Sequence, residues 1–237
     1  NAHGRLHTQM VAAAGQAGSG AVGAEPRRRL RVGQIGTTHG HATKLEVYRE
    51  SPDWEVVGLV EPDDALAAAA AEKPAFRGVP RVTRDELFAI QGLDAVLVET
   101  PPDRSLDHAA AAVARGFHVH LDKPAGTSLP AFRRILDEAT RRSLVVQLGY
   151  MYRYNPAILL LHEFLAKGWL GEVFEVDAVM SKVVDAASRR EMARFAGGMM
   201  FELGCHLVDL VVAILGRPDS VRPLARHALV AADDALA

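Results

Sequence analysis

The sequence predicts an α/β fold: a doubly wound parallel sheet followed by a shortened, truncated α+β domain. Three observations carry this. Short apolar runs alternate with helical stretches from Arg31 to Gly149. The first run leads into a glycine-bearing loop. After Gly149 the alternation stops and longer segments take over.

The elements follow in order. "RVGQI" reads as a strand, and "ATKLEVYRES" after it has helical spacing. "WEVVGLVE" is a second strand and "DDALAAAAAE" an alanine-rich helix. "VPRV" is a short third strand. "TRDELFAI" opens with Thr83 and Glu86 in capping-box spacing. "DAVLVET" is a fourth strand, stopped by Pro101 and Pro102. "DHAAAAVARG" is a helix ended by Gly116. "HVHLD" is a fifth strand, cut by Pro124. "SLPAFRRILDEATRR" has a serine cap and a proline in its first turn. "LVVQLG" is a sixth strand. Beyond it, "NPAILLLHEFLAKGWLG" is a helix, "EVFEVDAVMSKVV" a long strand, "ASRREMARFAGG" a polar stretch and "MMFELGCHLVDLVVAILG" an amphipathic helix. A last strand-like piece lies near "SVRPLARHALVA". Three segments result: a disordered N-terminal extension (1–29, beginning at Asn1, with Met10 as an alternative start), a nucleotide-binding domain (30–150) and a partial second domain (151–237).

Composition narrows the function. The 237 residues are 49% hydrophobic and 24% charged with a formal net charge of -2, so no basic face for nucleic acid is expected. Aromatics at 6% argue against a base-stacking surface. Cys205 is alone, so no intrachain disulfide forms and a cytoplasmic protein is expected. No apolar run is long enough for a membrane span.

In an open parallel sheet, ligands bind outside the carboxyl ends of the strands. After the first strand, Gly36 supplies a tight turn and Gly40 a second close or left-handed position. A helix from about His41 offers free amides to a pyrophosphate. Glu61 ends the second strand, 25 residues after Gly36. Its carboxylate would accept from ribose hydroxyls and repel a 2′-phosphate, which favours NAD over NADP. A plain βα turn in a flavodoxin-like sheet is the bland reading. A metal site on His39 and His41, with His118 and His120, is set aside because no ligand set is complete.

Two further motifs carry chemistry. In "HLDKPAGTS", Lys123 directly follows the fifth strand, where an ammonium stabilises alkoxide character in a reacting hydroxyl. Pro124 sets the backbone there, with a cis bond as one form. In "GGMMFELGCHLVDL", Glu202, His206 and Asp209 stand at i, i+4 and i+7. An imidazole flanked by acids is suited to acid/base work; a salt-bridged helix face is the alternative.

Together these residues resemble the Gfo/Idh/MocA family, named for glucose–fructose oxidoreductase, inositol dehydrogenase and relatives. Asp122-Lys123-Pro124 is similar to the family's EKP motif. Gly197-Gly198 followed by Glu202-Leu203-Gly204-Cys205-His206-Leu207-Val208-Asp209 is similar to its second-domain motif. "ETPPDRSLDHAAAAVARGFHV", with Pro101 and His108, resembles the stretch at its fourth strand. "YMYRYNP", with Arg153, Asn155 and Pro156, resembles its crossover. The resemblance implies a Rossmann domain and NAD(P)-dependent oxidation or reduction of a sugar, cyclitol or polyol. Lys123, His206 and Glu202 would be catalytic, with Glu202 orienting His206 or binding substrate. Gly36, Thr37, Thr38, His39, Gly40, His41, Glu61, Thr100, Pro101, His108, Asp122 and Lys123 would meet the cofactor. Arg153, Asn155 and Lys182 would shape the substrate pocket, and the full-length form would be a homo-oligomer. A non-catalytic nucleotide- or sugar-binding remnant and a redox-assisted glycoside hydrolase are the alternatives. Thr38 stands at a family glycine, Glu202 at a common aspartate, and the second domain is short.

Overall fold

A computed structural model describes residues 28–224. The disordered extension expected at 1–29 falls almost wholly outside them, as does most of the last strand-like piece.

Five parallel strands form one sheet: β1 (Leu30–Ile35), β2 (Trp54–Val60), β3 (Leu93–Val98), β4 (His118–Leu121) and β5 (Val146–Leu148), in the order β2-β1-β3-β4-β5. The helices between them are α1 (Leu45–Glu50), α2 (Asp64–Ala71), α3 (Arg84–Ala89), α4 (Pro102–Ala114) and α5 (Leu129–Arg141). Local chemistry places their starts. Asp63 accepts from Ala65 and Leu66 amides at α2, Thr83 and Glu86 form the expected capping box at α3, and Ser128 accepts from Ala131 at α5.

Alternation along β3 shows why the sheet is covered on both sides. Val96 and Val98 pack into one cluster with Leu106, Ala109, Val113 and Ile135 from α4 and α5. Ala95 and Leu97 pack into a second with Leu45, Ala70 and Phe76. Period-two side chains buried on both faces are what a parallel sheet between helix layers requires.

One expected strand is nearly lost. "VPRV" forms a single bridge, Arg81 to Leu59, rather than a third strand. Leu59 donates to the Pro80 carbonyl at 2.9 Å and Val82 to the Leu59 carbonyl at 3.0 Å, but Pro80 has no N–H to extend a ladder. The bridge still lies outside β2. Counted in, it gives the order 3-2-1-4-5-6 of a Rossmann sheet rather than the flavodoxin-like order.

The second half has α6 (Pro156–Ala166), α7 (Ala186–Met192) and α8 (Cys205–Leu215), the last preceded by a π-type turn at Met200–Gly204. The long strand expected over 172–184 is not formed. A strand needs a hydrogen-bonded neighbour, and no other strand pairs with this segment among the described residues. Phe174, Val179 and Val183 are consequently exposed.

Candidate active site

The carboxyl ends of β1, β3 and β4 converge on the loop 36–41. Gly36 turns there with φ +93°, and a Cβ would lie 2.6 Å from the Glu99 carbonyl oxygen and 2.7 Å from Thr100 Cγ2. Only glycine fits that conformation and that approach. Gln34, buried on β1, donates to the Gly36 carbonyl at 2.9 Å and the Ala42 carbonyl at 3.1 Å, which ties both ends of the loop to the strand. Thr37 turns inward and its hydroxyl donates to Glu61 Oε2 at 2.6 Å. Glu61 also accepts from the Asp63 amide at 3.3 Å. It is buried at the end of β2, where the dinucleotide reading needs an acid.

Two details of the loop differ from expectation. Gly40 has no positive φ, and a Cβ there would meet nothing within 4 Å, so neither close approach nor left-handed backbone explains it. The helix from His41 opens instead as a 3-10 turn, Ala42–Lys44, whose Ala42 and Lys44 amides bond back to His39 and His41. The unbonded amides belong to the loop itself: Thr37, Thr38 and Gly40 have no acceptor among the described residues. Thr38 is exposed at the tip, so its side chain does not obstruct the turn.

Beneath the loop lies a buried charged cluster. Lys44 Nζ is 2.6 Å from Asp122 Oδ2, 2.9 Å from Glu99 Oε1 and 2.9 Å from His120 Nε2. His39 Nδ1 is 3.1 Å from Asp122 Oδ2, and His41 Nδ1 3.2 Å from the same oxygen. Burial alone would lower the His39 pKa, but the carboxylates of Asp122, at 3.1 Å, and Glu99, at 3.6 Å, outweigh it and raise it to about 9. Burial and the nearby Lys44 charge push His120 down to about 4. Asp122 is held well below the carboxylate range because hydrogen bonds from His39 and His41 overcome its burial. Glu99, wholly buried, is raised by desolvation. Two sets of ligating atoms therefore converge here, His39–His41–Asp122 and Glu99–His120–Asp122. His118 is in neither: it stands at the start of β4 and accepts from the Val145 amide.

Lys123 follows Asp122 on a cis bond to Pro124 and is buried. Its Nζ donates to Glu202 Oε1 at 2.7 Å and to the Glu202 carbonyl at 2.9 Å. The Glu202 carboxylate is thus committed to Lys123, with no hydrogen bond to His206, so its orienting role is not seen. His206 is buried between the rings of Tyr150 and Tyr152, at 6.1 and 5.4 Å between centroids, and its Nδ1 has no hydrogen-bond partner among the described residues. Burial, then the Lys123 charge, lowers its pKa below 6.5. The ring is neutral at pH 7 and able to accept a proton. Asp209 holds Arg153 through two hydrogen bonds, at 2.9 and 2.6 Å.

The remaining sequence-predicted residues divide. Thr100 adjoins Gly36 with its hydroxyl buried and unpartnered among the described residues, and Pro101 occupies the cap position of α4. His108 lies within α4. The charges acting on it are Arg84, Asp107 and Arg104, none from the loop. Asn155 caps α6, accepting from Ala157 and Ile158 amides. Lys182 is exposed on the unpaired segment, with no polar partner among the described residues, and is not brought to the site.

Residues 30–150 match the sequence model described as "Oxidoreductase family, NAD-binding Rossmann fold", and 158–236 match the Gfo/Idh/MocA C-terminal domain. The chain belongs to the Gfo/Idh/MocA family. Among curated Gfo/Idh/MocA proteins it is 29% identical over 176 residues to "D-xylose 1-dehydrogenase (NADP(+)) 2" of Haloferax volcanii, covering 73% of this chain and 53% of that protein. It is 25% identical over 190 residues to the "Rhizopine catabolism protein MocA" of Rhizobium meliloti, covering 80% and 58%. The solved structure of GenD2 from gentamicin A biosynthesis, in complex with NAD, superposes with a TM-score of 0.67 at 25% identity, over 85% of this chain and 58% of that one. The chain thus spans about half the length of the relatives it matches.

The Gfo/Idh/MocA cofactor fits this loop. A Cβ at Gly36 would fill the turn, three loop amides have no acceptor among the described residues, and an acid ends β2. Sequence reasoning missed Gln34, Lys44, Glu99 and His120 as a group. Glu99 had the same signal as Glu61 and Asp122, a carboxylate closing an apolar strand run. Lys44 had none, being one lysine in a helical stretch.

Proposed function

We propose that this chain carries the nucleotide and catalytic groups of an enzyme that moves hydride between NAD and a hydroxyl-bearing carbon of a sugar, cyclitol or related polyol. The observation that supports it is the meeting of Lys123, Glu202 and His206 beside the nucleotide loop. Bound NAD would supply the hydride acceptor. The Lys123 ammonium, with one N–H beyond the two given to Glu202, would donate to the reacting hydroxyl and favour its alkoxide character. Neutral His206 would take the proton, and Glu202 would fix the ammonium and meet a neighbouring hydroxyl. Arg153, held by Asp209, borders the same space through its contact with Tyr150.

The carboxylate of Glu61 supports NAD over NADP. One reported relative is named an NADP(+)-dependent xylose dehydrogenase and one solved relative holds NAD, and neither the sensor nor the glycoside-hydrolase reading gains from them. Among the described residues no helix is long and apolar enough to cross a membrane. A lone cysteine suits a reducing cytoplasm. The exposed apolar side chains over 169–183 suit an assembly of copies.

Titration of NAD and NADP against the chain and against Glu61→Ala, followed by NADH formation over a polyol panel, tests this. Failure of both nucleotides to bind would remove the reading.

A further inference from the structure

Two ligand sets meet beneath the nucleotide loop and share Asp122, whose Oδ2 also takes the Lys44 ammonium at 2.6 Å. Lys44 places its ammonium among Glu99, His120 and Asp122. The other set is His39, His41 and Asp122, where two imidazole Nδ1 atoms lie 3.1 and 3.2 Å from one carboxylate oxygen. Metal–ligand bonds of about 2.0–2.1 Å put neighbouring ligand atoms about 2.9 Å apart in octahedral and about 3.3 Å apart in tetrahedral geometry. The observed spacing falls between them.

Hydrogen bonding alone serves this arrangement poorly. The His41 amide points at His39 Nδ1 from 3.2 Å, which calls for a lone pair there. A bond from His39 to Asp122 calls for a proton on that same nitrogen. A metal ion would take the lone pair of each imidazole and of the carboxylate together, and the His41 amide would give up its contact with His39 Nδ1. Glu99 adds a second signal. Its Oε2 is fully buried, lies 3.6 Å from His39 Nδ1 and makes no hydrogen bond among the described residues.

We propose that His39, His41 and Asp122 form a three-ligand site for a divalent transition-metal ion of the Zn²⁺ type. Its remaining positions open on the side where His41 is exposed, as at sites that take an exogenous ligand. The site does not rest on hydride transfer, because metal affinity is read without nucleotide or substrate.

The test is a titration of the chelator-stripped full chain with Co²⁺, read by its visible d–d absorption, and with Zn²⁺ by calorimetry. One equivalent of Co²⁺ is expected, displaced by Zn²⁺. His41→Ala should weaken both by about a hundredfold or more, since losing a ligand exceeds the cost of losing an outer-shell partner. Far-UV circular dichroism should be unchanged, because His41 is exposed. His118→Ala should leave affinity unaltered. Absence of saturable binding, or equal affinity in His41→Ala, overturns the proposal; the second result would place the ion elsewhere on the chain.

Discussion

The Lys123 ammonium donates to the Glu202 carboxylate at 2.7 Å across 79 positions of sequence. The contact joins the end of β4 to the π-type turn before α8, and it sets the resting geometry from which any reacting hydroxyl must recruit the lysine. Exchanging Lys123 for alanine should lower turnover by about 10²–10³-fold, the usual cost of removing a charge-stabilising donor. Glu202→Gln, which keeps a neutral acceptor, should cost about tenfold less. Full turnover by Lys123→Ala, followed through NADH absorbance, would remove the lysine from the chemistry.

Gly36→Ala meets both a positive φ and a backbone oxygen 2.6 Å from the new Cβ. Neither the Glu99 carbonyl nor the strand carrying it can yield cheaply. A loss of about 2–3 kcal/mol is expected. It should appear as a lower urea midpoint with an unchanged slope. An unaltered midpoint would mean that the loop is free to rearrange.

Thr37 and Glu61 act as a unit, joined by a 2.6 Å hydrogen bond. Glu61→Ala should weaken NAD binding by about tenfold and narrow its margin over NADP, because the carboxylate both accepts from ribose hydroxyls and repels a 2′-phosphate. Calorimetry with both nucleotides decides it. A parent chain that prefers NADP would contradict the role given to Glu61.

His206 sets a pH dependence. Burial comes first among the causes lowering its pKa, followed by the charges of Lys123 and His41; Glu202 and Asp122 pull the other way. The folded value lies below the unfolded 6.5, so the unfolded chain binds the extra proton in between. Stability should therefore fall as pH drops below 6.5. The rate constant kcat/KM for alcohol oxidation should fall in the same direction, because the protonated ring cannot accept. His206→Asn should abolish that limb of the profile. Persistence of the limb would assign it to another group.

Arg153 and Asp209 make a bidentate pair between the turn before α6 and α8. Arg153 is half exposed, so water screens the interaction, and a double-mutant cycle should return a coupling of about 1 kcal/mol. A coupling near zero would reduce the pair to surface decoration.

Much of this protein was legible from its amino acids alone. The alternation of apolar runs and helices, the capping box at Thr83, the turn at Gly36 and the acids ending β2 and β4 all act over short stretches, where propensity and sterics decide. The bond between Thr37 and Glu61 was not among them, because it joins the ends of two neighbouring strands 24 positions apart. Other features depended on partners distant in sequence. "VPRV" and 172–184 have β-type composition, yet a strand exists only where another segment offers its hydrogen bonds. Pro80 limits the first and no described strand flanks the second. Asn155 looked like a pocket residue and is a helix cap, because its nearest unsatisfied groups are its own helix's amides. The cluster of Lys44, Glu99, His120 and Asp122 was invisible along the chain. Its members come from two strand ends and the turn before α1, and only the parallel winding of the sheet brings them within 3 Å of one ammonium. The loop after β1 was written in the sequence. What lies under it, a set of imidazoles and carboxylates around a single oxygen of Asp122, was decided by the tertiary fold, because ligand sets and ion pairs require convergence in space that spacing along one chain cannot specify.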